Sequence, residues 1–491
     1  DSIVTNKGVQ LKVLNVNSYS FYNNQSINRL KISNSGYLGE EAFYNCDALT
    51  TVTASNNGYI GERAFYDCDA LISAELKIKG YIGTAAFYSC NKLSSVIINS
   101  AGNINGSAFC DCTSMGTAII NNNGSIGAYA FADCNMSDKL ELGENITTIG
   151  MYAFQNNTKL KQLTLPDNVS GLGDFAFQGC KELEKVSIGK GISVLPPYVF
   201  SGCRTLPEIS IPSNVASIEG CAFYGCSSLS DVTIEQSNKE AIAENILKID
   251  SFDSRPIFAD CPLNEVYIGR KLSYSTSSEY GYSPFYRNTS LRTVTITDAE
   301  TEIYDNEFYG CSNLQSFSCG DGVTKIGNWA FSGCSAMKSY SSGTHVTEIG
   351  KEAFSDCTGL TSFTTLAAVP PTCGTQALDD INKWECTLTV PAESVDDYQV
   401  APQWKEFFFI EEATGKDDTT NIEDVTIDQN CEIRISANGI TIDGIADAPV
   451  SVYTIDGRLV RNIPEYNGGE IRLAKGIYIV CVGSQSKKIM I

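Results

Sequence analysis

Apolar residues recur along most of the chain in one order that repeats every 22 or 23 residues. In Leu38–Ala54 a Gly follows the first apolar residue, then come Ala-Phe, a Cys, a Leu and two alternating apolar residues. The alternating end predicts a short strand, whereas Ala-Phe-x-x-Cys favours a short helical turn or an irregular segment whose Phe fills the interior. One unit cannot bury its own apolar residues, so the copies are expected to stack.

About fifteen copies of this unit follow one another over residues 10–370. A worn first copy fits Val16–Ile32, a degenerate copy lies around Phe285–Ile296, and an insertion runs from Gln236 to Pro256. Within each strand two residues are expected to face inward, such as Val52 with Ala54, or Val186 with Ile188.

The unit F-x-x-C-x-x-L-x-x-V-x-I, followed by I-G-x-x-A-F, resembles the BspA-type leucine-rich repeat of bacterial surface proteins. The resemblance implies an α/β repeat fold, a leucine-rich-repeat solenoid of about 15 coils of 22–23 residues over residues 1–370. It also implies a secreted or cell-surface protein in contact with host or matrix molecules, and it carries no catalytic residues. Residues 371–410 resemble the family's C-terminal cap through Val369–Cys373, Leu388–Pro391, Tyr398 and Ala401–Lys405.

The composition changes after Ile410. Residues 411–423 are polar and acidic and predict a linker, and residues 424–491 contain short alternating runs that predict a small all-β sandwich domain. This region resembles the C-terminal sorting domain of type IX secretion substrates, through Val450–Tyr453, Asp456–Val460, Leu473–Val480 and Lys487–Ile491. The resemblance implies an address for the outer surface of a Gram-negative bacterium; a plain β accessory module is the alternative.

The net charge of −22, with no local cluster of Lys and Arg, argues against nucleic-acid binding because such a surface repels phosphate. No run approaches the roughly 18 apolar residues of a membrane span, so no transmembrane segment is expected. The chain opens at Asp1 without Met, which is compatible with a removed export signal.

Cysteine occupies one position of the repeat in most copies, and Asn replaces it in two. Both residues can hydrogen-bond backbone groups inside a turn, so we expect a buried structural ladder of reduced thiols rather than disulfides. Local oxidation of Cys110 with Cys112, or of Cys221 with Cys226, is the alternative. The predicted ladder consists of Cys46, Cys68, Cys90, Cys112, Cys134, Asn157, Cys180, Cys203, Cys226, Cys261, Asn288, Cys311, Cys334 and Cys357.

Motifs for catalysis are missing from the sequence. The one histidine, His345, lies in a Gly-Thr-His-Val turn, and no G-x-S-x-G, H-E-x-x-H or Walker-type sequence occurs. The close cysteine pairs have no neighbouring His, so no metal site is predicted. We therefore expect no enzymatic activity, no catalytic residues and no cofactor.

Two sets of residues recur at positions expected to face outward. The strand residue between the inward pair is Ser or Thr in most copies, which suits hydrogen bonding to a polar partner or simply reflects the preference of Thr for exposed strands. Rows of tyrosine flank the repeat Phe and the Leu/Ile-Gly, and they either contact a partner or pack the convex side. The candidate ligand-binding residues are Tyr44, Tyr66, Tyr88, Tyr37, Tyr59, Tyr81, Thr164, Ser187, Ser210 and Thr233.

These patterns favour an exported recognition or adhesion protein that binds a host or matrix protein or a glycan along faces of the solenoid. A glycan-processing accessory or enzyme, and a purely architectural spacer, are the two other hypotheses.

Overall fold

In a computed structural model the chain divides into two compact units, Asp1–Thr414 and Gly415–Ile491. The structure describes the first unit over residues 2–4, 10–12, 15–34, 36–137, 139–236, 246–250, 255–274 and 283–413. In the second unit it describes residues 432–436, 439–443, 449–454, 459–463, 466, 471–473, 477–482 and 485–490.

The first unit is a solenoid in which the end of each repeat forms a strand parallel to the same strand of the next coil. Pairing is in register, so Thr53 lies opposite Glu75 and Thr295 opposite Ser318. These strands form sheets of six, two and nine members. Their bounds are Arg29–Asn34, Thr51–Asn56, Ser73–Ile78, Ser95–Ser100, Thr117–Asn122, Lys139–Leu142; Gln162–Thr164, Lys185–Ser187; Glu208–Ile211, Asp231–Ile234, Glu265–Ile268, Thr293–Ile296, Ser316–Cys319, Ser339–Ser342, Ser362–Thr365, Thr387–Val390 and Phe409–Glu412.

A second series of parallel strand pairings forms at the Leu/Ile-Gly position of each repeat. In the early coils it consists of single bridges, from Val16–Leu38 to Ile104–Ile126. Later it becomes short strands, in sheets of three, four and four. Their bounds are Gly124–Ile126, Ile146–Ile149, Gly171–Leu172; Val194–Leu195, Ser217–Ile218, Leu247–Ile249, Leu272–Tyr274; Glu302–Ile303, Lys325–Ile326, Glu348–Ile349 and Thr372–Cys373.

The segment around the interior Phe contains no helix, so the expected α/β repeat fold is wrong for the coils: their regular elements are β-strands. Residues two before and two after the Phe have left-handed backbone in most coils, as at Glu41 (φ 49°) and Asn45 (φ 52°) around Phe43. Left-handed residues at this spacing cannot continue a right-handed helix. The N–H groups of Glu41, Phe43 and Asn45 instead donate to carbonyls of the next coil, at 2.7 to 2.9 Å.

The interior is a stack of phenylalanine rings, one for each coil. Phe43 and Phe65 have ring centroids 5.1 Å apart and planes 3° apart, and both are fully buried. The strand pair Val52 and Ala54 is buried, as predicted, whereas Val186 and Ile188 are only partly buried against the core. We name each coil by its interior Phe: 21, 43, 65, 87, 109, 131, 154, 177, 200, 223, 258, 285, 308, 331 and 354.

Residues 371–410, predicted as a cap, form one more coil of the same kind. Leu378 takes the interior position, Gln376 has the left-handed backbone, and the edge strand Phe409–Glu412 pairs in parallel with Thr387–Val390. Trp404 is buried here, and its indole N–H donates to the Pro371 carbonyl at 2.9 Å. The helices of this segment are Ala392–Ser394 (3-10), Val395–Val400 (α) and Trp404–Glu406 (3-10).

Antiparallel strands in both units complete the described elements. In the first unit, Ser2–Val4 pairs with Gln10–Lys12. The second unit contains one sheet of three strands and one of four, and buried residues of both, such as Ile440 and Val452, belong to one apolar cluster. The strands are Glu432–Ser436, Gly439–Asp443, Ile471–Arg472; Leu459–Ile463, Val450–Thr454, Ile477–Val482 and Gln485–Met490. Much of the predicted linker 411–423 lies outside the described residues.

Candidate binding faces

Tyrosines that follow the interior Phe in the first four coils form a continuous stacked ladder on the surface. The ring centroids of Tyr22, Tyr44, Tyr66 and Tyr88 are 4.9 to 5.1 Å apart, with planes within 9° of parallel. Tyr22 is 43% exposed and the other three are half-buried. We call these four residues the first tyrosine ladder. Because its rings cover one another's faces, it offers ring edges and phenol hydroxyls to a partner.

A second tyrosine ladder, Tyr37, Tyr59 and Tyr81, precedes the Leu/Ile-Gly position of successive coils. Its centroids are 5.1 and 4.9 Å apart, and Tyr81, at the end of the row, is 41% exposed. Both ladders follow directly from the in-register stacking of coils, because a residue type repeated at 22-residue spacing is placed above itself.

The first ladder lies in an acidic environment. Partial burial is the main cause that raises the pKa of Tyr44 and Tyr88, and nearby carboxylates add to it, among them Asp67 beside Tyr44 and Asp111 beside Tyr88. Arg63 is paired with Glu41 at 3.4 Å and with Glu62 at 3.9 Å, and neither of these pairs includes Asp67 or Asp111. The phenols of Tyr44 and Tyr88 therefore remain protonated donors at neutral pH.

The four predicted hydroxyl residues on the strands, Thr164, Ser187, Ser210 and Thr233, are all exposed. Thr164 lies opposite Ser187, and Ser210 lies opposite Thr233. The two pairs belong to different sheets, so they do not form one uninterrupted row. Ser210 also donates to the Glu235 carboxylate at 2.6 Å.

Sequence reasoning missed a further aromatic ladder, Tyr129, Tyr152, Phe175 and Tyr198. Its centroids are 4.6 to 4.7 Å apart, and all four residues have left-handed backbone, which is unusual for bulky side chains. Each lies two residues before an interior Phe, so an aromatic residue at that spacing was the signal.

The ladder of cysteines lies inside the coils. Cys68, Cys90 and Cys112 are fully buried, and each thiol donates to the carbonyl of the Phe in the preceding coil at 3.2 Å. In the described part of the chain no cysteine forms a disulfide, and this includes Cys110, Cys112, Cys221 and Cys226.

The repeat frame that produces all these rows can be assigned to a family. The profile of the BspA-type leucine-rich repeat region matches residues 14–137, 124–252 and 276–372, with six copies of the family's region. The chain belongs to the BspA-type leucine-rich repeat family.

Several solved structures are similar to this chain at low identity. A leucine-rich repeat protein from Bacteroides ovatus is 21% identical, covers 79% of this chain and 94% of its own, and has a TM-score of 0.42. A leucine-rich cell surface protein from Faecalibacterium prausnitzii is 22% identical, covers 69% and 89%, and has a TM-score of 0.31. The pneumococcal vaccine antigen PcpA is 15% identical, covers 84% and 87%, and has a TM-score of 0.26. A search of curated proteins found no match.

Few reactive groups accompany the BspA-type framework. His345 is exposed, and its Nδ1 lies 2.9 Å from the Thr344 hydroxyl and 3.0 Å from the carbonyl of Asp321 in the neighbouring coil. Among the described residues, no three His, Cys, Asp or Glu side chains are placed to hold a metal ion. No helix in that part of the chain has the length and apolar character to cross a membrane.

Proposed function

We propose that this BspA-type protein is a secreted or surface recognition protein that binds a protein or glycan partner along the first tyrosine ladder. The observation that carries the proposal is the parallel stacking of Tyr22, Tyr44, Tyr66 and Tyr88 at about 5 Å on the outside of the coils. A host or matrix molecule is the partner we favour.

The ladder is not needed to fill the interior, because the phenylalanine stack already does so. Phe43, Phe65 and Phe87 are fully buried, whereas Tyr44 and Tyr66 are half-buried neighbours on the outer side of the same coils. Tyrosine offers apolar area and a hydroxyl together and is frequent among residues that dominate binding energy.

Stacking also fixes the rings before any partner arrives. A side chain that is already held by its neighbours loses little conformational freedom on binding, so less of the interaction energy is spent on ordering it. The exposed hydroxyls recur at the coil spacing, which suits an extended partner able to form hydrogen bonds at several successive coils.

The C-terminal unit, in this proposal, delivers the solenoid to the outer surface of the cell. The support is its resemblance to sorting domains through Val450–Tyr453 and Leu473–Val480, together with its compact antiparallel β structure. Protease shaving of intact cells tests exposure: release of solenoid peptides supports delivery, and full protection contradicts it.

An array of matrix proteins and glycans, probed with the whole chain, tests the binding proposal. Serine at Tyr44, Tyr66 and Tyr88 together should weaken binding to the array partner by about tenfold or more, since several contacts are lost at once. Serine at Tyr37, Tyr59 and Tyr81 is the matched control, with equal loss of stacked rings on the other ladder. Thermal unfolding of both variants separates lost contacts from lost folding.

Three outcomes would contradict the proposal. Unchanged affinity in the first variant removes the ladder as the binding site. A blank array favours an architectural spacer, and release of product from a polysaccharide panel favours an enzyme.

A further inference from the structure

A groove of about 440 Å³ opens between coils 223, 258 and 285, outside both tyrosine ladders. Its lining includes Ser227, Pro262, Arg287, Asn288 and Thr289. The volume falls within the range of roughly 300 to 1,000 Å³ that is usual for small-ligand sites. We call it the arginine groove.

The groove exists because coil 258 has a shorter turn than its neighbours. One residue, Pro262, separates Cys261 from Leu263, whereas two residues separate the equivalent positions in coils 223 and 285. The Leu263 N–H consequently bonds the carbonyl two residues back, at 2.9 Å, while Leu229 and Leu291 bond the carbonyl three residues back. The longer turns on either side form the walls, with Ser227 on one and Thr289 on the other.

The coils are also less tightly joined here. Pro256 occupies the position two before the interior Phe, where a left-handed residue is usual and where proline cannot adopt that backbone. In most coils the N–H of the interior Phe and the N–H two residues later each donate a hydrogen bond to a carbonyl of the next coil. In the described part of the chain, the N–H groups of Phe258 and Asp260 make no such bond to coil 285.

The rim of the groove is basic in a chain whose net charge is −22. Arg287 is exposed, lines the groove, and has its guanidinium carbon 5.4 and 5.8 Å from the ring centroids of Tyr286 and Tyr309. Arg255 is exposed beside the lining residue Pro256, with its guanidinium carbon 5.1 Å from the Tyr224 centroid. Neither arginine forms an ion pair with an acid of the described residues, so both guanidinium groups retain donors for an anion.

We propose that the arginine groove binds the carboxylate or sulfate group of an acidic saccharide. Guanidinium groups match such anions with paired hydrogen bonds, and the stacked tyrosines hold Arg287 in place. The lining also contains the hydroxyl side chains of Ser227, Thr289 and Ser290, which suit sugar hydroxyls. Arginine clusters also bind acidic peptides, but the hydroxyl side chains of this lining favour a saccharide.

Binding of labelled oligosaccharides to the whole chain tests this proposal. A heparin hexasaccharide carries sulfate and carboxylate, a galacturonate oligomer carries carboxylate alone, and maltohexaose is neutral. The wild type should bind at least one of the two acidic probes, more weakly as salt rises, and should not bind maltohexaose. Preference between the acidic probes identifies the anion.

Matched variants locate the site. Arg255→Gln with Arg287→Gln should lower affinity by roughly tenfold or more, since charge-assisted hydrogen bonds are lost. Asp260→Asn, which removes the one acid among the lining residues of the described chain, should raise it. Lys79→Gln with Lys92→Gln removes the same charge from exposed positions elsewhere and should leave affinity unchanged.

Several results would overturn the proposal: no binding to either acidic probe, equal binding of maltohexaose, equal losses in the arginine and lysine variants, or stronger binding of poly-glutamate than of both acidic sugars. The outcome is independent of the first tyrosine ladder. The serine variant of Tyr44, Tyr66 and Tyr88 should bind the acidic probe as the wild type does, so the two proposals can fail separately.

Discussion

The side-chain amide of Asn157 donates to the carbonyl of Phe131 in the preceding coil at 2.8 Å. This is the bond that the Cys134 thiol makes to Phe109, at 3.0 Å. The amide does more than the thiol, because it also donates to Phe154 at 2.9 Å and accepts from the Met136 N–H at 3.1 Å. Asn and Cys thus occupy one repeat position for the same physical reason, the need of a buried carbonyl for a donor.

Removing the amide should be costly. Asn157→Ala leaves two buried carbonyls and one N–H without this partner, and we expect the free energy of unfolding to fall by about 2–4 kcal/mol. Asn157→Cys keeps a donor for one carbonyl, so its free energy of unfolding should fall by less. Denaturant unfolding of both variants checks the order; equal losses would mean that the thiol does not replace the amide as a donor to the Phe131 carbonyl.

Ladder cysteines should resist alkylation in the folded chain. Burial raises the pKa of Cys46 to about 11 and that of Cys180 to about 12, so both are thiols at pH 8. A pulse of iodoacetamide followed by peptide mapping should modify Cys110 before either of them, because Cys110 is half-buried and they are fully buried; burial raises the pKa of Cys110 to about 12 as well, so accessibility decides the order. In denaturant all 19 cysteines should react, and a smaller number would reveal disulfides.

Stability should fall as pH rises through the range where a buried pair of glutamates ionises. Burial raises the pKa of Glu300 from 4.5 to about 6 and raises that of Glu307 above its ordinary value. The folded chain therefore holds these protons more tightly than the unfolded chain, and the stabilisation is present below pH 4.5 and lost as pH passes about 6.

Glu300→Gln should remove the part of this loss in unfolding free energy that Glu300 causes. The rise of its pKa from 4.5 to about 6, at 1.36 kcal/mol for each pKa unit, corresponds to about 2 kcal/mol. Glu393→Gln, at an exposed position, is the control and should keep the wild-type pH profile. Unfolding measured from pH 4.5 to 8 compares the three proteins. A profile in Glu300→Gln that matched the wild type would contradict the assignment.

Gly225 should tolerate asparagine and reject valine. It has left-handed backbone (φ 70°), and an added Cβ would meet no atom within 4 Å, so the cost is conformational and not steric. Asn45 occupies the equivalent position of coil 43 with the same kind of backbone. Gly225→Val should cost about 1–2 kcal/mol, and Gly225→Asn should cost clearly less in the same unfolding assay.

The sequence predicted the stacked solenoid because the repeat is governed by buried residues. Phe43 and Phe65 share an interior position only if every coil has nearly the same length, so spacing alone fixed the register. The lack of helix was not predictable from apolar spacing, since Ala-Phe-x-x-Cys also suits a helical turn. The deciding residues, such as Glu41 and Asn45, differ in type and share only their left-handed backbone.

The candidate sites divide in the same way. Stacking of Tyr44 on Tyr66 follows from the repeat, but whether these residues bind a partner stays a prediction, as do the domain boundaries and the sorting role of the C-terminal unit. The arginine groove depends on one missing residue beside Pro262 and on the loose joining of coils 258 and 285. The repeat spacing could have suggested the missing residue, but the loose joining of the two coils appears only in the folded chain.

The interrupted bonding between coils 258 and 285 has a mechanical consequence. If the proposed function holds, a chain fixed to a cell at one end and to its partner at the other carries tension along the coil axis. Rows of hydrogen bonds that act together resist such a load, and a row with gaps gives way first. The joint beside Asp260, where the strand pair Glu265–Ile268 and Thr293–Ile296 is intact but the turn bonds are missing, would then open on its turn side before the fully bonded coils that carry the first tyrosine ladder.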